Sequence, residues 1–175
     1  MDILFLGDSL IEYFDWQERF PGHTVANFGV AGESVEGLLS RVVKVSDVFP
    51  RADIIFIMSG INNVAMGDIE FGNFYRMIIE KLSDTYSGAE IYVHSLLPTI
   101  VNFIQGESIG KVNNFLQELA KETGVEFLNI YKRFVDAGSK PVKEYLLDDG
   151  VHLSRTGYDV WARVVEEVIE RHSQT

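Results

Sequence analysis

The 175-residue sequence contains no cysteine, which excludes disulfide bridges, thiolate catalysis and cysteine-ligated zinc. This absence leaves the redox compartment open, because it suits both the cytosol and the exterior. No apolar run approaches the length of a membrane span. Proline is scarce too, with four residues at positions 21, 50, 98 and 141, near the boundaries of predicted elements. Since there is no linker and no internal repeat, we expect residues 1–175 to form a single domain.

Basic residues are also few, since 15 Lys and Arg stand against 26 Asp and Glu, for a formal net charge of −11. An acidic chain repels a phosphate backbone and an anionic membrane, so neither nucleic acid nor membrane is an expected partner. Acidity otherwise serves solubility. The first predicted strand begins at Asp2 or Ile3, and no basic and apolar leader precedes it. We therefore expect a cytoplasmic protein, or a secreted one if a signal peptide has been removed; the oligomeric state stays open.

Short apolar runs alternate with helical patterns along the chain. Five segments are predicted as strands: Ile3–Leu6, Thr24–Phe28, Ile54–Met58, Ile91–His94 and Glu126–Leu128. Four are predicted as helices: Val35–Val45, Phe71–Leu82, Ile109–Lys121 and Thr156–Arg171. This alternation predicts an α/β fold with a parallel sheet, helices on both faces and right-handed crossovers. Sites of such folds lie at the carboxyl ends of the strands, where Ser9, Gly29–Gly32, Gly60–Asn63 and Pro98 would meet.

Ser9 follows a short apolar run and a glycine, in the tetrapeptide Gly7-Asp8-Ser9-Leu10. A strand that ends in such a turn presents the next side chain at the sheet edge, where a serine hydroxyl becomes a nucleophile if a base activates it. A serine here also suits the N-cap of a helix over residues 10–14, and for the tripeptide Gly-x-Ser alone that interpretation is favoured. The Gly-x-Ser-x-Gly elbow of the α/β-hydrolases is absent.

The candidate base is His152, in the sequence Asp149-Gly150-Val151-His152. Asp149 can accept a hydrogen bond from Nδ1 of the ring, which leaves Nε2 to take a proton from Ser9. Asp148 is a competing carboxylate whose spacing is one residue off. Alternatively, Asp149 and His152 cap the helix that starts near Thr156. The other histidines have simpler interpretations: His23 in a surface turn, His94 packed in the core and His172 in a frayed C-terminal tail.

Two further turns offer N–H donors to a developing oxyanion. The segment Gly29-Val30-Ala31-Gly32 follows the second strand and opens a helix, so a backbone N–H there can point into the site. A phosphate-cradling loop is the rival interpretation, with no basic residue nearby to support it. The segment Gly60-Ile61-Asn62-Asn63 ends the third strand. Asn62 can offer its side-chain amide, although an ordinary turn is the more frequent use of such a sequence.

In this order the motifs resemble the blocks of the GDSL esterase/lipase family, also called the SGNH hydrolases. The blocks are Phe5–Leu10, Asn27–Ser34, Gly60–Asn63 and Asp149–His152, and they extend over nearly the whole chain. The resemblance implies a flavodoxin-like three-layer α/β/α sandwich with strand order 2-1-3-4-5, and chemistry without cofactor or metal. It implies Ser9 as nucleophile, His152 as general base and acid, and Asp149 as the carboxylate that orients it. The implied oxyanion hole consists of the Ser9 and Gly32 backbone N–H groups and the Asn62 side chain.

One position departs from the family pattern, which usually reads Gly-x-Asn-Asp where this chain ends in Asn63. The missing carboxylate can change the contacts that support this loop, and therefore its geometry. The leading hypothesis is a serine ester hydrolase, of carboxylesterase or acetylesterase type, that acts on a small-molecule ester through an acyl-enzyme. The alternatives are a thioesterase or lysophospholipase of the same family, and a non-catalytic ligand-binding protein on the same scaffold. A flavin or nucleotide binder is disfavoured because no phosphate loop is present.

The segment Leu96–Glu107 carries several apolar side chains in a stretch without helical or strand pattern. Two interpretations are open. The segment forms an apolar wall for the acyl group, or it packs into the core beneath a loop.

Overall fold

Five parallel strands pair in the order β2-β1-β3-β4-β5 in the computed structural model of the chain, which describes residues 1–173. The strands are β1 Asp2–Gly7, β2 Thr24–Gly29, β3 Ile54–Met58, β4 Glu90–His94 and β5 Glu126–Leu128. Each lies within one residue of its predicted bounds. The register pairs Gly7 of β1 with Gly29 of β2 and with Met58 of β3. The turns after these three strands are therefore neighbours at one edge of the sheet.

Eight helices connect the strands in the described residues. They are α1 Ser9–Glu12, α2 Trp16–Arg19, α3 Val35–Arg41, α4 Val45–Val48, α5 Ile61–Ala65, α6 Gly72–Thr85, α7 Gly106–Thr123 and α8 Arg155–His172. The predictions of α6, α7 and α8 are confirmed, whereas α2 and α5 were not predicted. The prediction of one helix over residues 35–45 is wrong, because a 3-10 turn at Val42–Lys44 separates α3 from α4. The β-branched residues there fit a regular helix poorly.

The helices form two layers, one on each face of the sheet. Trp16 of α2 stacks on Phe5 of β1 with ring centroids 4.1 Å apart, and Trp161 of α8 meets the ring of His94 of β4 at 5.6 Å. The chain moves outwards from β1 to β2 and then back across β1 to β3, so right-handed crossovers place α2 and α3 on opposite faces. Helices α3, α6 and α7 pack against one another in that order. The fold is a flavodoxin-like three-layer α/β/α sandwich.

The core lies on both faces of the central strands. Ile3–Leu6 and the whole of β3 are buried, as is typical of a parallel sheet covered by helices on both sides. Among residues 1–173, none of the helices combines the length and the apolar character needed to cross a lipid bilayer.

Gly7 ends β1 at a point where there is no room for a side chain. A Cβ atom at this position would lie 2.0 Å from the carbonyl oxygen of Met58 and 2.7 Å from Cγ1 of Ile11. The first of these contacts is with backbone paired in the sheet, so no side-chain rotation relieves it. Glycine therefore allows α1 to turn tightly over the end of β1, and this turn sets Ser9 at the sheet edge.

We expect Gly7→Ala to destabilise the protein by about 3 kcal/mol or more, because the added methyl group would push apart backbone that is fixed by the sheet. The matched control is Gly110→Ala in α7, where an added Cβ meets nothing within 4 Å. That change should stabilise the protein by about 0.5–1 kcal/mol. Denaturant unfolding measures both effects, and a Gly7→Ala protein as stable as the wild type would refute the constraint.

Candidate active site

Ser9 is the first residue of α1, directly after the carboxyl end of β1. The N-cap of this helix is Asp8, whose Oδ1 accepts a hydrogen bond from the Leu10 N–H at 3.0 Å. The N-cap interpretation of Ser9 is therefore wrong, and its hydroxyl is left for other partners. Only 6% of the Ser9 surface is exposed.

A chain of two hydrogen bonds joins Ser9, His152 and Asp149. The Ser9 Oγ lies 3.0 Å from Nε2 of His152, although 143 residues separate the two in sequence. On the other side of the ring, Nδ1 lies 2.7 Å from Oδ2 of Asp149. A serine hydroxyl in this arrangement can pass its proton to the imidazole as it attacks an electrophile, and the carboxylate then stabilises the imidazolium that forms.

The turn that carries Asp149 and His152 is held from within. Oδ1 of Asp149 accepts hydrogen bonds from the Val151 and His152 N–H groups, each at 2.9 Å. Gly150 has a φ of +70°, and a Cβ there would lie 2.5 Å from Cγ1 of Ile100, so glycine is required twice over. The N-cap of α8 is Ser154 rather than either candidate residue. The helix-capping alternative for Asp149 and His152 is therefore wrong.

Tyr158 connects this end of the chain to the first helix. Its hydroxyl donates a hydrogen bond to the Leu10 carbonyl oxygen at 2.9 Å, in a buried position. Leu10 follows Ser9 directly, and Tyr158 lies in α8 a short distance after His152. This bond therefore fixes the two halves of the candidate site relative to each other.

The two carboxyl groups near Ser9 differ in protonation because their surroundings differ. Burial alone would raise the pKa of Asp149, but hydrogen bonds from the Val151 N–H and from the His152 ring and N–H together lower it to about 2. Asp8 is fully buried, and its Oδ2 has no hydrogen-bond partner among the described residues. Burial raises the pKa of Asp8 to about 7, against the opposing hydrogen bond from the Leu10 N–H.

Gly32 and Asn62 lie on the turns after β2 and β3, the two strands that flank β1. Gly32 is exposed and has a φ of +76°. Asn62 is the second residue of α5, and its amide donates a hydrogen bond to the Glu33 carbonyl oxygen at 2.9 Å. An amide nitrogen carries two N–H groups, so one remains for a further acceptor. Because β2 and β3 flank β1, both turns adjoin the turn that carries Ser9.

The loop that contains Gly32 is clamped by an ion pair that the sequence did not reveal. Arg41 donates from Nε and from Nη2 to the two carboxylate oxygens of Glu33, each at 2.6 Å. The same Nη2 donates to the Phe28 carbonyl oxygen at 2.8 Å, at the end of β2. The bidentate pair thus ties the residue after Gly32 to the sheet. No local pattern marks it, because Arg41 lies about two helical turns away in α3.

Asn63, the residue that departs from the family pattern, is 1% exposed and fully engaged. Its Oδ1 accepts a hydrogen bond from the Val35 N–H at 2.9 Å. Its Nδ2 lies 3.0 Å from a carboxylate oxygen of Glu36 and 3.0 Å from one of Asp68. These partners come from α3 and from the turn after α5, and no sequence pattern predicted the contacts.

The remaining histidines lie away from Ser9. His94 is fully buried, as predicted, and burial lowers its pKa to about 3. The prediction that His172 lies in a frayed tail is wrong, because this residue ends α8 and its Nδ1 lies 3.3 Å from Oε1 of Glu90. Within the described residues, no three His, Asp or Glu side chains are arranged to hold a metal ion.

The interpretation that the segment Leu96–Glu107 packs into the core holds for part of its length, and the interpretation as an acyl-binding wall stays a prediction. Leu96, Leu97 and Ile104 are buried in the core, whereas Ile100 and Phe103 are exposed by 40% and 68%. The Ile100 N–H donates to the Gly150 carbonyl oxygen at 2.9 Å. Ile100 therefore lies against the turn that carries Asp149.

A parallel α/β sandwich with hydrogen-bonded serine, histidine and carboxylate at the carboxyl edge of its sheet is typical of serine hydrolases. The profile of the GDSL-like Lipase/Acylhydrolase family matches residues 5–160. The chain therefore belongs to this family, and it is a hydrolase that acts on ester bonds.

Several known proteins are similar to the chain. Subunit alpha1 of platelet-activating factor acetylhydrolase IB from Bos taurus is 25% identical over 97% of the chain and 75% of its own length. A Streptococcus pneumoniae protein provisionally described as a platelet activating factor has a solved structure with a TM-score of 0.85 and 30% identity, over 95% of this chain and 82% of that one. An acetylxylan esterase from Geobacillus stearothermophilus, 19% identical, shares the fold with a TM-score of 0.75 over 94% and 91% of the two chains.

The buried carboxyl group of Asp8 leads to a prediction about pH. The pKa of Asp8 is about 7 in the folded protein, well above the pKa of about 3.9 of an aspartate exposed to water. Between these values the folded state binds more protons than the unfolded state, so this group makes stability fall as pH rises. We expect Asp8→Asn to remove that component, since the amide oxygen can still accept from the Leu10 N–H. As the pH rises from acid to mildly alkaline, the free energy of unfolding of the variant should increase by roughly 4 kcal/mol relative to that of the wild type.

Chemical denaturation of both proteins at a series of pH values tests this expectation. Every other titrating group is shared, so the difference between the two curves isolates Asp8. Curves that stay parallel over the whole range would show that the folded protein does not hold Asp8 protonated.

Proposed function

We propose that the protein is a serine esterase that hydrolyses small carboxylic esters through an acyl-enzyme on Ser9. The observation that carries this proposal is the hydrogen-bonded chain from Asp149 through His152 to Ser9 at the carboxyl edge of the sheet. Ester hydrolysis is the activity of the family, and the proposal assigns it to these atoms.

In the first step, the Ser9 Oγ attacks the ester carbonyl carbon while its proton moves to Nε2 of His152. The tetrahedral intermediate collapses, the C–O bond to the alcohol breaks, and the alcohol leaves with the proton from His152. Water then attacks the acyl-enzyme, with His152 again as base, and the acid is released from Ser9. Asp149 keeps its negative charge throughout, in agreement with its lowered pKa.

Three N–H groups are proposed to stabilise the oxyanion of the intermediate: the backbone N–H groups of Ser9 and Gly32 and the amide of Asn62. Two observations support this set. The three residues follow adjacent strands, and the hydrogen bond to Glu33 fixes the Asn62 amide beside the residue that follows Gly32. Donors that are fixed in advance need no reorganisation when charge develops.

We further propose short acyl groups, acetyl in the first instance. Two similar proteins are named for removing acetyl groups, the acetylhydrolase subunit and the acetylxylan esterase. Beside the site, the Tyr13 ring lies 5.3 Å from the His152 ring, between centroids. Tyr13 and Leu153, the residue after His152, also line a surface cavity of about 550 Å³. We propose that the alcohol part of the ester lies on that side of the site.

Removal of the nucleophile tests the mechanism. We expect Ser9→Ala to lower kcat on p-nitrophenyl acetate by roughly 10,000-fold or more, because within residues 1–173 the Ser9 hydroxyl is the one group hydrogen-bonded to Nε2 of His152. The control is Ser46→Ala in α4, whose hydroxyl only bonds the Val43 carbonyl oxygen. A Ser9→Ala enzyme with wild-type activity would exclude the acyl-enzyme on Ser9.

The same assay, run from acetate to decanoate esters, tests the acyl preference. Rates that fall steadily with chain length support acetyl, whereas a maximum at long chains supports a lipase or thioesterase. Folded wild-type protein that is inactive on every ester would favour the ligand-binding alternative.

Asn62→Ala tests the oxyanion hole. We expect kcat to fall by about 100- to 1000-fold with KM little changed, because the lost donor acts mainly in the transition state. Asn73→Ala, at an exposed position of α6, is the control for loss of an amide elsewhere. A loss confined to KM would assign Asn62 to substrate binding and contradict the proposed role.

A further inference from the structure

Asn63 joins two loops that lie on either side of the candidate oxyanion hole. It accepts from the Val35 N–H at the start of α3, directly after the loop of Gly32–Ser34. It donates to Asp68, in the turn that follows α5, and to Glu36 in the first turn of α3. We call Asn63, Glu36 and Asp68 the amide clasp.

The clasp requires an amide at its centre. The Val35 N–H can only donate, and the two carboxylates can only accept, so a single orientation of the Asn63 amide satisfies all three partners. The hydrogen bond from Asn63 lowers the pKa of Glu36, while the charge of Asp68 acts in the opposite direction. The amide therefore holds two negative charges together within a few ångströms.

A carboxylate at position 63 would reverse this balance. It could still accept from the Val35 N–H, but it would leave Glu36 and Asp68 without their donor and add a third negative charge between them. Glu36 from α3 and Asp68 from the turn after α5 are the charged groups that hydrogen-bond to the Asn63 side chain in the described residues. The next charged pair along the loop, Glu33 with Arg41, is already neutralised internally.

The clasp acts directly on the proposed donors. Asn62 precedes Asn63 in the chain. Its amide donates a hydrogen bond to the Glu33 carbonyl oxygen, in the loop just before Val35. Separation of the two loops would therefore move Asn62 and Gly32 apart. A displacement of about 1 Å in a catalytic group can cost roughly 100-fold in rate.

We propose that Asn63 is a positioning residue. Its amide bridges Glu36 and Asp68, and this bridge keeps the Gly32 and Asn62 N–H donors in fixed positions relative to each other. This inference rests on the proposed serine esterase function. The amide at position 63 and the two carboxylates around it act as a matched set, so the donor and acceptor roles can be exchanged only together.

The test compares Asn63→Asp with the triple variant Asn63→Asp, Glu36→Gln, Asp68→Asn. In the triple variant the central carboxylate accepts from the Val35 N–H and from two new amides, which restores every hydrogen bond with the roles exchanged. Asn73→Asp adds the same charge at an exposed site and serves as the control. Kinetics on p-nitrophenyl acetate are measured with each protein shown to be folded by circular dichroism.

At about pH 8 we expect Asn63→Asp to lower kcat by about 100-fold with little change in KM. Near pH 5.5 the kcat of Asn63→Asp should lie within about tenfold of the wild-type kcat, because the three-carboxylate cluster takes up a proton there. The triple variant should recover at both pH values. If Asn63→Asp does not fold at the higher pH, an active triple variant supports the inference and an inactive, folded one overturns it.

Two further results would overturn the inference: an Asn63→Asp enzyme with the wild-type kcat and pH profile, or a deficit that neither lower pH nor the triple variant relieves. Both are distinct from failure of the proposed function. That failure would appear in the parent enzyme, as absent esterase activity or as activity that survives Ser9→Ala.

Discussion

The candidate site depends on the position of β1 between β2 and β3. Because all three strands are parallel and Gly7 is level with Gly29 and Met58, their carboxyl ends lie at one edge of the sheet. The loops after them carry Ser9, Gly32 and Asn62.

The fourth component of the candidate site, the turn with Asp149 and His152, comes from the far end of the chain. It is held in place by packing of α8 on the sheet and by the bond from Tyr158 to Leu10. A register shift of one residue would disperse the site.

The strands and long helices could be predicted because their signal is local. Apolar runs and helical periodicity depend on neighbours in sequence, and buried parallel strands are the clearest case. The break between α3 and α4 was missed because apolar spacing alone does not show where a β-branched run ends a helix. His172 was misassigned because its partner, Glu90, lies in another element. Ser9, His152 and Asp149 were found as short motifs, but the sequence alone left open whether they were helix caps.

The supporting residues could not be predicted for a physical reason. Arg41 reaches Glu33 and the end of β2, while Asn63 reaches Glu36 and Asp68 across two loops. Such contacts depend on how separate elements pack, and a polar residue at a helix surface looks the same in sequence with or without a buried partner. The departure at Asn63 was visible in sequence, but its meaning depends on two carboxylates that no local pattern connects to it.

The charges around Ser9 share one property, which follows from the chemistry proposed for it. An oxyanion that develops beside uncompensated carboxylates would be repelled, and this protein is strongly acidic. Three nearby carboxyl groups have different compensations: burial favours the neutral form of Asp8, Arg41 pairs with Glu33, and the His152 ring faces Asp149. The amide of Asn63 does the same for Glu36 and Asp68, with a neutral group and without adding charge. In the proposed site, the loops can therefore remain acidic on the outside while N–H donors face Ser9, and this arrangement requires each compensating group to stay in its place.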